Sequence, residues 1–95
     1  MAYVLIEHQV ADYETFKEVY LDDADRRKRF GSLGGHVFRA SDDPLNVIIL
    51  LEWDSAERAR DFATSLELHQ AMEWSTSNVS TPRVTVLEHV MDSPV

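Results

Sequence analysis

Histidine and tryptophan are the side chains of this sequence that are best suited to chemistry on a small molecule. The histidines are His8, His36, His69 and His89, and the tryptophans are Trp53 and Trp74. Imidazole can take up or release a proton near neutral pH, which is what general acid–base catalysis requires. An indole offers a flat apolar face to a planar aromatic ligand. These residue types therefore favour proton transfer on a hydrophobic aromatic molecule.

Several other chemistries are disfavoured by composition and spacing. The chain has no cysteine, which excludes disulfides, zinc–thiolate sites, iron–sulfur clusters and a cysteine nucleophile. No two histidines have metal-ligand spacing, and Gly34-Gly35 is interpreted as a turn rather than a phosphate-binding loop. The formal net charge of −8 argues against nucleic acid and anionic membranes as partners. The basic group at 26–29 is interpreted as a solvated helix end.

The elements that must position these residues follow from hydrophobic periodicity. Strands are predicted at residues 3–10, 36–40, 46–53 and 83–90. One helix is predicted from an N-cap at Asp12 to about Phe30, and a second from a capping box at Asp54 and Glu57. Near Thr64 the helical phase shifts, which predicts a kink or a short separate helix to about residue 74.

The order strand, helix, strand, strand, helix, strand predicts an α+β, ferredoxin-like βαββαβ sandwich in a single domain of residues 1–95. Right-handed crossovers give a four-stranded antiparallel sheet with the first and third strands central and the helices on one face. Residues 47–51 are apolar without alternation, so both faces of that strand should be covered. Since the helices cover only one face, the chain is expected to form a homodimer through the other.

Strand parity predicts which residues share a face. A hairpin centred near Asp43-Pro44 places one set of side chains together: His36, Phe38, Ile49, Leu51 and Trp53. If His8 joins that set, the four residues His8, His36, Phe38 and Trp53 converge on a pocket under the helices. His69 is a further candidate for this pocket, and Trp74 either caps it or packs in the dimer. The charged residues Glu7, Arg39 and Glu52 are then expected to face the partner.

The alternative for each of these side chains is plain packing. A histidine on a strand is commonly a hydrogen-bonded packing residue, and a tryptophan at a strand end is commonly part of the core. His89, near the edge of the last strand, is expected to be structural.

Four segments carry a resemblance to a known family. They are residues 3–8 (YVLIEH), 34–39 (GGHVFR), the run from Val47 that closes in Glu52-Trp53-Asp54, and 65–69 (SLELH). With them the chain resembles the dimeric α+β barrel superfamily, and within it the antibiotic biosynthesis monooxygenase-like group, over nearly its whole length. The resemblance implies two sheets packed face to face in a dimer, with a pocket between each sheet and its helices.

The activities within that superfamily define the functional expectations. Its members include cofactor-free monooxygenases acting on aromatic polyketides, haem-degrading enzymes, polyketide cyclases and lactone isomerases, and also proteins of no known activity. Haem-degrading relatives carry an Asn on an early strand, where this chain offers His8, which disfavours haem.

The resemblance implies a cofactor-independent monooxygenase acting on a hydrophobic aromatic or polyketide-like molecule. His8 or His36 would be the catalytic base, and Trp53, Phe38, His69 and Trp74 would bind the substrate. The alternatives are a cyclase or isomerase on the same fold, and a non-catalytic dimeric ligand-binding or accessory protein. The N-terminal residues do not resemble a signal peptide and no apolar stretch is long enough to span a membrane, so a cytoplasmic location is expected.

Overall fold

The computed structural model of the chain describes residues 2–65 and 82–95. The elements in chain order are β1 (Ala2–Gln9), α1 (Tyr13–Asp22), α2 (Ala24–Phe30), β2 (Ser32–Ala40), β3 (Asp43–Trp53), α3 (Ala56–Ala63) and β4 (Arg83–Glu88). The strands form one antiparallel sheet in the order β2-β3-β1-β4. The predicted α+β, ferredoxin-like architecture is confirmed, including the central positions of the first and third strands.

The hydrophobic core lies between one face of this sheet and the helices. Alternate residues of the two central strands are buried there: Ala2, Val4, Ile6, Val47, Ile49, Leu51 and Trp53. Phe16 of α1 and Ala59 and Phe62 of α3 pack on them. The intervening residues of β3, such as Ile48 and Leu50, are only half-buried because no described helix covers the second face. We call the two sides of the sheet the helix face and the helix-free face.

The prediction of one long first helix is wrong, because the chain breaks at Asp23. That residue has φ −91° and ψ 2°, and its carboxylate pairs with Arg26 at 2.6 Å. From α2, the Arg27 guanidinium folds back and its Nη1 donates to the Tyr20 carbonyl at 2.7 Å. A carbonyl at the end of α1 that the helix leaves without an intrahelical donor is thereby satisfied, which stabilises the break. The predicted end of the helical region at about Phe30 is confirmed, because α2 ends at that residue and Gly31 follows with a left-handed φ of 116°.

The hairpin between β2 and β3 turns two residues earlier than predicted. The loop is Ser41-Asp42, and Ala40 lies opposite Asp43. The next pair toward the strand interior is Arg39 with Val47, so residues 44–46 bulge from β3. This bulge shifts the register by one residue from the predicted pairing. In a strand, a one-residue shift moves every side chain to the opposite face.

β2 approaches β3 closely at Gly35. A Cβ atom on this residue would lie 1.9 Å from the carbonyl oxygen of Leu50. Only glycine fits here, because any side chain would have to displace one of the two strands. Gly34-Gly35, predicted as a turn, therefore lies inside β2, which begins at Ser32 rather than at residue 36.

The second helical segment also begins differently from the prediction. Ser55, not Asp54, is the N-cap of α3, because its hydroxyl accepts from the Arg58 backbone N–H at 3.2 Å. Asp54 instead pairs with the Arg58 side chain at 2.7 Å. The predicted kink or short helix to residue 74 lies outside the described residues. Among the helices of residues 2–65 and 82–95, none is long and apolar enough to cross a membrane.

Candidate functional site

The sheet separates the side chains that were predicted to share one pocket. His8 is on the helix face, opposite Val47, whereas His36 lies opposite Leu50 on the helix-free face. Phe38 accompanies His36, with the two ring centroids 5.9 Å apart. The prediction of a pocket containing both histidines is therefore wrong, and the register shift at the hairpin is the cause. His69 and Trp74 lie outside the described residues.

Trp53 shares the helix face with His8 but lies at the other end of the sheet. His8 is opposite Val47, six residues from Trp53 along β3, and that spacing corresponds to about 20 Å. Trp53 is fully buried against Phe62, with ring centroids 4.7 Å apart. Its indole Nε1 has no acceptor among the described residues. The structure therefore places Trp53 in the core, far from His8.

His8 instead lies beneath an aromatic surface of α1. Its side chain is only 2% exposed, and its ring meets the Phe16 ring edge-on at 6.1 Å. Phe16 contacts Tyr13 at 6.1 Å and Tyr20 at 5.6 Å between centroids. The spacing of these three residues places them on one side of the helix. We call Tyr13, Phe16 and Tyr20 the aromatic stripe.

A guanidinium group lies over each end of the aromatic stripe. The Cζ atom of Arg39 is 4.4 Å from the Tyr13 ring centroid, and that of Arg27 is 3.7 Å from the Tyr20 ring centroid. Both distances are typical of cation–π interactions. Two predictions are corrected here. Arg39 faces the helices rather than a partner, and Arg27 is buried rather than solvated.

The Arg27 end of the stripe is closed and the Arg39 end is open. Burial lowers the pKa of Arg27 and raises the pKa of the Tyr20 phenol, because desolvation disfavours the charged form of each. The Arg27 guanidinium also donates to a backbone carbonyl. Arg39, in contrast, is exposed on β2. A molecule that reaches the stripe from solvent meets the Arg39 end first.

The floor of this site is one row of residues across three strands. Val47 lies opposite both His8 of β1 and Arg39 of β2. Since neighbouring strands are about 4.8 Å apart, the backbones of His8 and Arg39 are separated by about 10 Å. Val47 of β3 is completely buried, but Val37 of β2, which lies on the same face of the sheet, is 39% exposed. The described helices therefore leave the β2 edge open, beside Arg39. We call this arrangement, with the stripe above it, the His8 site.

The opposite, helix-free face is largely apolar rather than charged as predicted. It presents Tyr3, Leu5, Phe38, Ile48 and Leu50. Glu7 and Glu52 do lie on it, and Glu7 pairs loosely with Arg83 at 3.7 Å. Arg39, which was also expected to face the partner, does not lie on this face.

A concave region that was not predicted from the sequence lies at the end of the sheet where Ala2 pairs with Trp53. It has a volume of about 560 Å³ and is lined by residues that include Asp54, Ser55, Arg60, Val86 and Glu88. Charges of both signs line it without a preference for one kind of ligand. Within the described residues, no three His, Asp or Glu side chains come together to hold a metal ion.

Comparison with solved structures bears on the fold. A protein of Caulobacter crescentus CB15 shares 20% identity with a TM-score of 0.71, over 95% of this chain and 90% of its own. A protein of Bordetella bronchiseptica has 16% sequence identity and a TM-score of 0.72, over 95% of this chain and 97% of its own. A protein of Deinococcus radiodurans has 16% sequence identity and a TM-score of 0.70, over 100% of this chain and 98% of its own. All three are named as candidate antibiotic biosynthesis monooxygenases.

No protein-family model and no curated protein sequence matches the chain. The likeness in structure, by contrast, extends over nearly the full length of this chain and of each of these proteins. The resemblance found in the sequence is thus confirmed at the level of the fold, and the chain has the antibiotic biosynthesis monooxygenase-like fold.

Proposed function

We propose that the chain is a cofactor-independent monooxygenase that acts on a hydrophobic aromatic or polyketide-like molecule at the His8 site. The observation that carries the proposal is the position of His8, held edge-on against the aromatic stripe on a fold that candidate monooxygenases share. A base that adjoins aromatic rings in a site screened from water is suited to deprotonating an aromatic substrate.

The reaction needs little beyond such a base. His8 takes a proton from an acidic CH₂ group of the substrate and leaves a carbanion delocalised over its rings. The carbanion gives electrons to O₂ and forms a peroxide anion, which takes the proton back from His8. The resulting hydroperoxide loses water to leave C=O. One CH₂ and one O₂ thus yield one C=O and one H₂O. The aromatic stripe contributes ring contacts, and the burial of Phe16 keeps water from the reacting carbon.

The helix-free face supports a homodimer as the functional unit. Leu5, Ile48 and Leu50 are only half-buried on this face, and Phe38 is half exposed. An apolar surface of this kind on a small domain is typical of an interaction site. A second copy offers the same surface across a two-fold axis, so the two sheets would pack face to face.

Two other functions are compatible with the same residues. A cyclase or isomerase would use His8 for proton transfer without oxygen. A non-catalytic ligand-binding or accessory protein is favoured by one specific observation, which is that His8 and Trp53 are almost fully buried. Side chains buried to this degree commonly serve packing.

Oxygen uptake with an anthrone-type substrate tests the proposal. Wild-type protein should consume oxygen and release the quinone. His8→Gln should lower kcat about 100-fold or more, as loss of a general base does, and His36→Gln is the matched control because His36 lies across the sheet. Equal loss in both variants would contradict a base at His8. A rearranged product without oxygen uptake indicates the isomerase, and binding without any product indicates the accessory protein.

A further inference from the structure

Arg39 holds a charge that no other described residue neutralises. Ion pairs between described residues engage Arg26, Arg58 and Arg83 with carboxylates, whereas the described contact of Arg39 is with the ring of Tyr13. The whole chain has 17 acidic residues against 9 Lys and Arg. Because Arg39 is exposed and none of these ion pairs engages it, its guanidinium is available to an anionic ligand.

The stacking of Arg39 on Tyr13 prepares it to bind such a partner. The Arg39 Cζ atom lies 4.4 Å from the Tyr13 ring centroid, and a guanidinium has five N–H donors in its plane, so a contact with one ring leaves donors for a ligand. Those donors match the two oxygens of a carboxylate, which they can bind with two parallel hydrogen bonds. Because the stack restricts the side chain before a ligand arrives, less conformational entropy is lost on binding.

The rest of the His8 site fits the remainder of an aromatic acid. From Arg39 the stripe continues as Tyr13, Phe16 and Tyr20, with ring centroids about 6 Å apart. Arg39 and His8 lie in one row across the sheet, with Val47 between them. Fused aromatic rings anchored by an acid at Arg39 would therefore extend toward His8. The Arg27 end cannot compete for the anion, because Arg27 is buried and bound to the Tyr20 carbonyl.

We propose that the His8 site binds aromatic acids, with Arg39 pairing with the ligand's carboxylate while the ligand's rings lie along the aromatic stripe. This inference rests on the proposed function for the location of the site and adds the class of substrate. Entry is at the β2 edge, where Val37 is exposed on the helix face. Arg39 is a substrate-binding residue in this proposal and takes no part in proton transfer.

Titration calorimetry with 2-naphthoate and 2-naphthamide tests the proposal. The two probes have the same rings and nearly the same size, but only the naphthoate is charged at neutral pH. The wild-type protein should bind naphthoate about ten-fold or more tightly than naphthamide, as a charge-assisted pair contributes. Arg39→Gln should remove this preference, and Arg39→Lys should retain part of it, since an ammonium keeps the charge without the planar fork.

Lys28→Gln is the matched control, because it removes one positive charge from an exposed position on α2. It should leave the naphthoate preference unchanged. Perturbed NMR signals from the rings of Tyr13 and Phe16 should accompany binding at one ligand per chain. Equal affinity for the two probes, or a preference that survives Arg39→Gln in a protein with an unchanged melting temperature, would overturn the proposal.

The outcome for this proposal can be separated from the outcome for the monooxygenase activity. A naphthoate preference that depends on Arg39, in a protein that consumes no oxygen, supports the aromatic-acid site and contradicts the activity. Oxygen uptake that depends on His8 with a neutral anthrone, in a protein that binds both probes equally, supports the activity and contradicts the aromatic-acid site.

Discussion

Truncation of Phe38 should dissociate the proposed homodimer. Phe38 is 50% exposed on the helix-free face. A phenylalanine can bury roughly 200 Å², so about 100 Å² remains for a partner to cover. A two-fold axis doubles this to about 200 Å² per dimer, which at about 25 cal/mol per Å² corresponds to ~5 kcal/mol.

Alanine retains part of that contact, so Phe38→Ala should weaken the dimer by about 3 kcal/mol, or about 100-fold in the dissociation constant. Sedimentation equilibrium over a wide concentration range measures this constant directly. Leu21→Ala is the control, because Leu21 is 58% exposed but belongs to α1 on the other side of the sheet. A wild-type protein that stays monomeric at high concentration, or equal weakening by both substitutions, would refute the use of the helix-free face for pairing.

Three further predictions concern stability. Gly35→Ala should lower the free energy of unfolding by about 1–3 kcal/mol, measured by denaturant titration, since its Cβ would lie 1.9 Å from the Leu50 oxygen. The pKa of Asp12 is held below its usual value by hydrogen bonds from the Thr15 hydroxyl and backbone N–H. Its stabilising effect is therefore present above the unfolded-state pKa and lost as pH falls through the folded-state pKa, so the melting-temperature advantage of wild type over Asp12→Asn should shrink in acid. Trp53→Phe should change the free energy of unfolding by no more than about 1 kcal/mol, measured by thermal melts. The substitution loses packing volume, but it also removes a buried N–H that has no acceptor among the described residues, and the two effects offset each other.

Each of these predictions has an outcome that contradicts it. Gly34→Ala is a comparison with a different physical cause, since nothing lies within 4 Å of a Cβ at Gly34 but its φ of 107° disfavours any L side chain. Unchanged stability in Gly35→Ala would show that the two strands leave room for a methyl group at this position. A constant difference between wild type and Asp12→Asn at every pH would show that the carboxylate is not stabilised in the fold. A loss above about 3 kcal/mol in Trp53→Phe would show that the indole N–H has a partner.

The sequence allowed the number, type and order of strands to be predicted, because hydrophobic periodicity depends on which residues face the core. It did not allow the register of β2 on β3 to be predicted. The segment Ser41-Asp42-Asp43-Pro44 contains several residues that favour turns. Local preference does not decide between a turn at 41–42 and one at 43–44, since the bulge of residues 44–46 depends on contacts with β1. One such contact is the hydrogen bond from the Val10 N–H to the Leu45 carbonyl, at 2.8 Å.

Only part of the candidate site could be predicted from the sequence, because its two cations are placed by contacts between elements that are distant in the chain. The three- and four-residue spacing of Tyr13, Phe16 and Tyr20 is a local pattern typical of one side of a helix, and the three rings do contact one another along α1. The cations at its ends come from other elements, Arg27 from α2 and Arg39 from β2. Their placement depends on the break at residue 23 and on the hairpin register, and neither leaves a distinct local pattern. Charge patterning therefore indicated a solvated basic cluster, and strand parity with a register one residue off indicated a charged sheet face.

The alternation of side chains along β2 has a consequence for how binding events would influence one another. Val37 and Arg39 face the helices, while His36 and Phe38 face the side proposed for pairing. A ligand that fixes Arg39 and a second copy that covers Phe38 would thus restrict the same short stretch of backbone. If pairing raises the affinity for an aromatic acid, the acid must tighten pairing by the same factor. The apparent affinity for the ligand would then rise with protein concentration. Through β2, the fraction of the protein that is dimeric would depend on the concentration of the substrate.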